Sequence, residues 1–328
     1  MHPESLRKAM RTITTRRENA ELAAEQRKEE IKKKTPEFCE LLGRISGTGG
    51  QIARAMLSNQ KDIRETIERI MRDNLDAQDR IKVLLQQNGY PENYLEPCYS
   101  CPECNDSGYV EGRQCSCLKQ LAVQYEAEDF NAKSKIKPQQ FSSFSLEYYP
   151  DAPVSGGGRT SRQIMEEIFE FCQAYAHRFE QRSPSILMMG PTGLGKTHLS
   201  LSIASEVIER GYTATYASAP DLFRQLQDEY YGKGAPGKDT MDMLLKTDLV
   251  VLDDIGSELE NQFNISAFYN VVNSRLNLEK PVIINTNLTS KELEARYTSR
   301  ISSRLTLYKC LKFSGIDIRQ QKLRNNIL

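Results

Sequence analysis

The chain has 328 residues, and its 39% hydrophobic and 27% charged content is that of a protein that buries a core, which excludes a single small module and wholesale disorder. Forty-four Lys plus Arg balance forty-four Asp plus Glu, so no global charge draws it to nucleic acid or acidic lipid, and any such affinity has to come from local asymmetry. The opening MHPESLRKAM lacks the apolar segment of a signal peptide, and no run approaches the roughly 18 apolar residues of a membrane span, so a cytoplasmic protein with no membrane contact is expected.

From Ser5 to about Lys34 there is neither Pro nor Gly, and apolar residues are sparse, which predicts a long solvated helix. Lys32, Lys33 and Lys34 place cations where a helix dipole favours them, and Thr35-Pro36 reads as an N-cap followed by the first residue of a second helix. The glycine-rich Ser46–Gln51 is expected as a flexible break. Ile63, Ile67, Ile70 and Met71 then recur at helical spacing, and Ile81, Leu84 and Leu85 extend the apolar face until Asn88-Gly89 stops it. Residues 1–97 are thus expected as a helical N-terminal domain.

Five of the eight cysteines lie between Cys98 and Cys117. Cys98, Cys101 and Cys104, then Cys115 and Cys117, have the spacing by which loops present thiolates tetrahedrally to Zn²⁺, and five thiols compete for four places. An iron–sulfur cluster takes the same ligands. Residues 98–120 are expected as a small metal module whose ion supplies folding energy. Tyr99, Tyr109 and Arg113 are its candidates for stacking on single-stranded DNA.

Residues 121–160 read as a linker ending in the glycine-rich Ser155–Thr160. Beyond them, apolar runs at Ile186–Met189, Thr213–Ala217, Leu249–Leu252 and Val282–Ile284 alternate with helical segments, the pattern of an α/β domain with a parallel sheet. Between the first such strand and a helix stands GPTGLGKT, the full phosphate-loop pattern. Its backbone amides and the helix N-terminus suit phosphates, Lys196 suits the β- and γ-phosphates, and the Thr197 hydroxyl suits Mg²⁺. Gly190, Pro191, Thr192, Gly193, Leu194, Gly195, Lys196, Thr197 and the adjoining His198 are the expected ATP-binding residues.

Leu249–Leu252 is an apolar run ending in Asp253-Asp254. Asp253 is expected to orient Mg²⁺ and Asp254 to polarise the attacking water, with Glu258 as a competitor for the second role. Val282–Ile284 ends in Asn285-Thr286-Asn287, of which Asn287 is expected to bond the γ-phosphate or a water. Arg296, Arg300 and Arg304 recur every four residues, as on one helix face, and suit either a solvated surface or transition-state charge on a neighbour's nucleotide. From Arg296 to Leu328 there are eight Lys or Arg against one acid, Asp317, a local patch suited to DNA. The segment Ser218–Lys246, with Phe223, Tyr230 and Tyr231, is a further candidate DNA contact.

The runs GPTGLGKTHL, LVVLDDIGSE, NTNLTSKEL, YTSRISSRL and GIDIRQQK together resemble the AAA+ ATPase domain of DnaC/DnaI-type replicative helicase loaders, and are similar to IstB-type transposition ATPases, over roughly residues 160–328. The resemblance implies an AAA+ P-loop domain at 161–328 with strand order 5-1-4-3-2, Asn287 as sensor 1, Arg304 as an arginine finger helped by Arg300, and Arg319 as sensor 2. CPECNDSGYV followed by CSC resembles the zinc segment of such loaders and assigns zinc to Cys101, Cys104, Cys115 and Cys117, with Cys98 a spare or substitute. The implied function is ATP-dependent loading of a hexameric replicative DNA helicase onto single-stranded DNA, with ATP-dependent self-association. An IstB-like ATPase assisting a transposase in target selection is the alternative. Asp254 stands where glutamate is commoner, so slow, switch-like ATP hydrolysis is expected, and with about fourteen residues after Ser314 the helical lid of larger AAA+ proteins is expected to be absent.

Overall fold

The computed structural model describes residues 3–57, 63–134, 137–152, 158–234 and 239–324. It divides into two compact units, Met10–Cys117 and a second made of Met1–Ala9 with Leu118–Leu328.

The first unit is built on α1 (Pro3–Lys34), which enters it from the second unit, α2 (Pro36–Leu57) and α3 (Ile63–Gln87). Ile31, Phe38, Leu41, Ala77, Ile81, Leu84 and Leu85 form its core, and Gly89 ends α3 with φ 77°. The expected break at Ser46–Gln51 is absent, since α2 runs through it. Each interior glycine weakens a helix by about 1 kcal/mol relative to alanine, yet this one is held to α3: Asn74 Nδ2 donates to Thr48 Oγ1 at 2.5 Å, and Thr48 Oγ1 donates to the Arg44 carbonyl at 3.0 Å. Farther along, Tyr109–Val110 (β1) and Arg113–Gln114 (β2) form an antiparallel hairpin, with positive φ at Glu111 and Gly112 making the turn.

In the second unit the segment expected as a linker is largely structured. Helix α4 (Ser116–Lys133) continues into it, and two turns of 3-10 helix follow at Phe141–Ser143 and Leu146–Tyr148. The glycine-rich Gly156–Gly157 and part of its surroundings lie outside the described residues. Helix α5 (Ser161–His177) opens with a capping box between Thr160 and Gln163.

Five parallel strands follow: β3 (Ile186–Met189), β4 (Ala214–Ser218), β5 (Leu249–Ile255), β6 (Val282–Thr286) and β7 (Lys309–Lys312). Their order, β4-β5-β6-β3-β7, is the expected 5-1-4-3-2 arrangement read from the other edge, with the phosphate-loop strand β3 between β6 and β7. Helix α6 (Lys196–Glu209) links β3 to β4; α7 (Ala219–Tyr230) and α8 (Thr240–Lys246) link β4 to β5; and α9 (Gln262–Asn277) links β5 to β6. Helices α10 (Ser290–Tyr297) and α11 (Ser299–Leu305) precede β7, and α12 (Ile318–Arg324) closes the described chain. Apolar side chains on both sheet faces are buried, as continuous apolar strands require.

One buried cation staples these layers. Arg275 of α9 is 0% exposed and donates to the carbonyls of Leu244, Thr247, Asp248 and Pro281 at 2.5, 2.8, 2.8 and 2.7 Å. It thereby joins the ends of α8, β5 and β6. At the sheet edge, Asn131 of α4 pairs with β4 as a strand would: its Nδ2 donates to Ala214 O at 2.8 Å and its Oδ1 accepts from Tyr216 N at 3.1 Å.

Candidate nucleotide site and cysteine cluster

The C-terminal ends of β3, β5 and β6 open into a cleft of about 490 Å³. Its floor is the phosphate loop, Gly190–Thr197, running from β3 into α6, and every loop residue from Thr192 to Thr197 lines it with His198. Lys196 is 7% exposed; its Nζ donates to Gly190 O at 2.5 Å, Pro191 O at 2.7 Å and Asn287 Oδ1 at 2.7 Å. Burial lowers its pKa from 10.5 to about 8, against the opposing pull of Asp253 and Asp254.

Two consecutive residues of a regular strand point to opposite faces, yet both Asp253 and Asp254 line this cleft. The register of β5 on β6 shifts between Leu252 and Ile255, and Asp254 adopts φ 57°. That irregularity turns both carboxylates to one side. Thr197 Oγ1 donates to the Asp253 carboxylate at 2.9 and 3.1 Å, and Asn287 Nδ2 donates to Asp254 Oδ1 at 2.8 Å. Asn287 therefore links the phosphate-loop lysine to the second acid of β5.

Glu258 is not in the cleft. Its carboxylate is 4% exposed and accepts from Gly256 N at 2.9 Å and from the Tyr297 hydroxyl, and Arg296 lies 3.5 Å away and also donates to its carbonyl. A carboxylate spent on three partners on the α10 side does not face a water at the phosphates, so the competitor reading of Glu258 falls away.

The expected single face of Arg296, Arg300 and Arg304 is also broken. Thr298, with φ 96°, separates α10 from α11 and leaves Arg296 bound to Glu258. Arg304 stands apart from the cleft of its own chain: its guanidinium lies 4.7 Å from the Tyr269 ring centre and donates to Asn273 Oδ1 at 2.8 Å and Tyr269 OH at 3.0 Å. Arg300 supplies a carbonyl to Arg304 at 2.9 Å. Arg319 and Lys322 of α12 do line the cleft, where Arg319 bears on Lys196 electrostatically. Arg296 and Arg304 of the basic tail are thus committed within the unit, while Lys309 and Lys312 stay exposed.

Sequence reasoning missed the wall opposite. Phe144, Ser145 and Tyr148 line the cleft, from the stretch read as linker. Tyr149 donates its hydroxyl to Leu194 O at 2.9 Å, Phe144 packs edge-on to His198 with centroids 5.4 Å apart, and His198 Nε2 lies 3.1 Å from Gln140 O. Burial lowers the pKa of His198. A β-carbon on Gly195, whose φ is 84°, would meet Phe144 at 2.9 Å, so this glycine is needed both for its backbone and for its neighbour. The one available signal was the aromatic density of FSSFSLEYY.

In Ser218–Lys246 the aromatics divide. Phe223 is core at 1% exposure, whereas Tyr230 and Tyr231 are exposed beside a groove whose lining includes Glu229 and Asp239 and, among the described residues, no Lys or Arg.

The first unit carries a separate centre. The Sγ atoms of Cys101, Cys104, Cys115 and Cys117 lie within 4.8 Å of one another, with Cys101–Cys115 at 3.8 Å and Cys104–Cys117 at 3.5 Å. A tetrahedral ion with bonds of 2.3 Å needs sulfurs about 3.8 Å apart, so these four could hold a metal. Cys98 is exposed and outside the group. Asp106, 2% exposed, accepts from the amides of Ser100 and Cys101 at 2.7 and 3.0 Å and fixes the first knuckle.

A phosphate loop on a parallel sheet of this order, faced by paired acids and a strand-end asparagine, defines a P-loop ATP-binding domain. Residues 173–306 match the family described as IstB-like ATP binding protein. Over 133 residues the chain is 25% identical to the replicative helicase loader DnaC of Escherichia coli (strain K12), covering 40% of this chain and 54% of DnaC. Over 110 residues it is 33% identical to the ATP-binding protein of insertion sequence IS5376 of Geobacillus stearothermophilus, covering 33% of this chain and 42% of that protein. A crystal structure of the DnaC helicase loader overlaps 53% of this chain and 98% of its own, with a TM-score of 0.44 and 22% identity. The chain spans about half the length of the curated relatives it matches. Its ATP-binding half is similar to DnaC and to the IstB-like ATP-binding proteins. No helix among the described residues is long and apolar enough to cross a membrane.

Proposed function

We propose that this protein loads a hexameric replicative DNA helicase onto single-stranded DNA under the control of ATP. The observation that carries the reading is the joining, in one chain, of a DnaC-like nucleotide site to a separate compact unit. That unit leaves Met56, Leu57, Met71 and Leu75 of α2 and α3 exposed, a surface suited to a protein partner.

In this reading the amides of Gly190–Thr197 hold the phosphates, and Lys196, released from the Gly190 and Pro191 carbonyls, neutralises the β- and γ-phosphates. Thr197 and Asp253 hold Mg²⁺, which when bound offsets charge on those phosphates. Asp254 polarises the water, and Asn287, already bonded to both Asp254 and Lys196, reports whether a γ-phosphate is present. Arg304, with Arg300, serves the nucleotide of an adjacent copy, consistent with its distance from its own cleft, and Arg319 acts as sensor 2. Turnover is slow because the carboxylate of Asp254 is one methylene shorter than a glutamate. Zn²⁺ on Cys101, Cys104, Cys115 and Cys117 holds the β1–β2 segment together.

The test is to mix the purified chain with the replicative helicase of its host and to measure complex formation and helicase delivery to single-stranded DNA with and without ATP. ATP-dependent delivery is expected; no complex in either condition overturns the reading. The higher identity to the IS5376 protein favours a second reading, an ATPase that assists a transposase in choosing target DNA. Co-purification with a transposase and not with a helicase would establish it.

A further inference from the structure

Asn285 lies two residues before Asn287 on β6, one register position inside the cleft, and it is 1% exposed. Its Nδ2 donates to Asp253 Oδ1 at 2.7 Å and to Ser200 Oγ at 2.7 Å. Ser200, 0% exposed on α6, passes its own proton to the Thr197 carbonyl at 3.1 Å, and the Thr197 hydroxyl donates back to Asp253. These four side chains form a closed circuit: Thr197 to Asp253, Asp253 to Asn285, Asn285 to Ser200, and Ser200 to the backbone of Thr197. The circuit ties the helix behind the phosphate loop to β5 and β6 at the point where the Mg²⁺-orienting acid emerges.

The amide can stand only one way round. A carboxylate accepts and never donates, so turning the amide over would set Oδ1 against Asp253 and lose the contact. With both donors engaged, Oδ1 is buried and has no hydrogen-bond partner. A strand residue kept for stability alone would be apolar here, as its neighbours Ile283 and Ile284 are, since that leaves no buried acceptor unmet. What the amide gives in return is a fixed Asp253 carboxylate: with Thr197 and Asn285 both on Oδ1, rotation about the carboxylate bond is held from two sides.

We infer that Asn285 is a positioning residue that sets the Asp253 carboxylate for Mg²⁺, an assignment that rests on the reading of Asp253 as the acid that holds that ion. In this role Asn285 acts through Asp253, although it also lines the cleft. Loss of its donors therefore weakens the metal step and spares metal-free nucleotide binding. Outer partners of metal-holding groups change affinity by about 10- to 100-fold when removed, and that range is expected.

The experiment titrates Mg²⁺ against the intact protein with a fluorescent ATP analogue, reading nucleotide affinity in EDTA and the Mg²⁺ concentration at half-maximal enhancement. Asn285→Leu, close in shape and without donors, is expected to keep its affinity in EDTA within about twofold and to shift the Mg²⁺ midpoint upward by the factor above. Asn285→Asp, which sets a second carboxylate against Asp253, is expected to shift it further. Asn285→Ser keeps a donor at the site should the leucine variant fail to fold, and is expected to fall between Leu and the parent. Ser200→Ala, which leaves the Asn285–Asp253 bond in place, should move it less than any of these. An unmoved midpoint in a folded Asn285 variant overturns the inference, and so does an equal loss of affinity with and without Mg²⁺. Asp253→Asn separates the two readings: if it leaves Mg²⁺ dependence intact, the assignment of Asp253 itself is wrong, whatever Asn285 does.

Discussion

A β-carbon on Gly193 would fall 2.0 Å from Oδ1 of Asp317. The phosphate loop and the C-terminal segment are thus fitted to each other, and Ile318 N donates to Gly193 O at 3.0 Å beside that contact. The same Asp317 oxygen accepts from Arg319 N at 2.9 Å, so the residue that touches the loop also starts the short helix that carries Arg319 and Lys322 into the cleft.

Gly193→Ala should therefore disturb both sides. The residue has φ 76°, a region that costs an alanine about 1–2 kcal/mol before any clash. We expect a lower melting temperature and at least about a tenfold loss of ATP affinity, since 1.4 kcal/mol is a factor of ten. Asp317→Ala removes the clash partner but not the strain. If the double variant binds ATP as poorly as Gly193→Ala alone, strain is the whole effect.

ATP binding should depend on pH through Lys196. Its folded pKa of about 8 lies below the ordinary 10.5, so between these values the unfolded chain holds the extra proton and stability gained from this group rises with pH. Nucleotide phosphates act in the opposite direction by favouring the ammonium. Binding above pH 8 must then take up a proton, and affinity should fall as pH rises from about 8 to 10. Calorimetry in buffers of different ionisation enthalpy at pH 9 measures the uptake; a value of zero would contradict the lowered pKa.

Arg304→Ala should leave ATP affinity of the single subunit within about twofold while reducing turnover in the assembled protein by roughly 1000-fold or more, as loss of an arginine finger does. The variant also loses the stack on Tyr269, so its melting curve has to be compared with that of Tyr269→Leu, which removes the stack and keeps the guanidinium. Equal turnover in the Arg304 variant and the parent would return this side chain to a surface role.

Metal analysis of single variants separates the five clustered thiols. Cys98→Ser should retain one equivalent of zinc, whereas Cys104→Ser should lose it, and chelation should lower the melting temperature of the first unit. A colourless protein with zinc excludes the iron–sulfur alternative, and visible absorbance with bound iron would establish it.

Arg275→Met keeps much of the side-chain volume but strands four buried carbonyls, each worth about 1–3 kcal/mol when left without a donor, although water and local shifts recover part. A destabilisation of about 3 kcal/mol or more is expected in denaturant titration. A loss below about 1 kcal/mol would mean that the carbonyls find other donors.

The parts of this site that sequence made legible are those carried by contiguous residues. The phosphate loop, Asp253-Asp254 and Asn287 each sit at the end of an apolar run, and a run of that kind fixes both the strand and the end at which its polar residues emerge. Strand order came with the family resemblance and not from periodicity. What stayed hidden depends on contacts between distant segments or on one unusual backbone angle. Tyr149 reaches Leu194 across 45 positions, so FSSFSLEYY reads as linker until the loop it covers is in place. Thr298 gives no helix-breaking signal by residue type, yet its φ of 96° undoes the four-residue arginine spacing. Glycines in α2 marked a break that side-chain bonds to α3 overrode. Glu258 lies four residues after Asp254 but turns away because Tyr297 and Arg296 hold it.

The single amide of Asn131 has a consequence for how copies of this chain can meet. It occupies two of the outer backbone groups of β4, Ala214 O and Tyr216 N, at one margin of the sheet, while β7 at the other exposes Lys309 and Lys312, charges that repel an incoming strand. Neither margin invites a neighbour to extend the sheet, a union that would be tight and hard to reverse. If copies associate as proposed, their contacts are expected to run through side chains, the kind of contact that a phosphate gained or lost can make and undo.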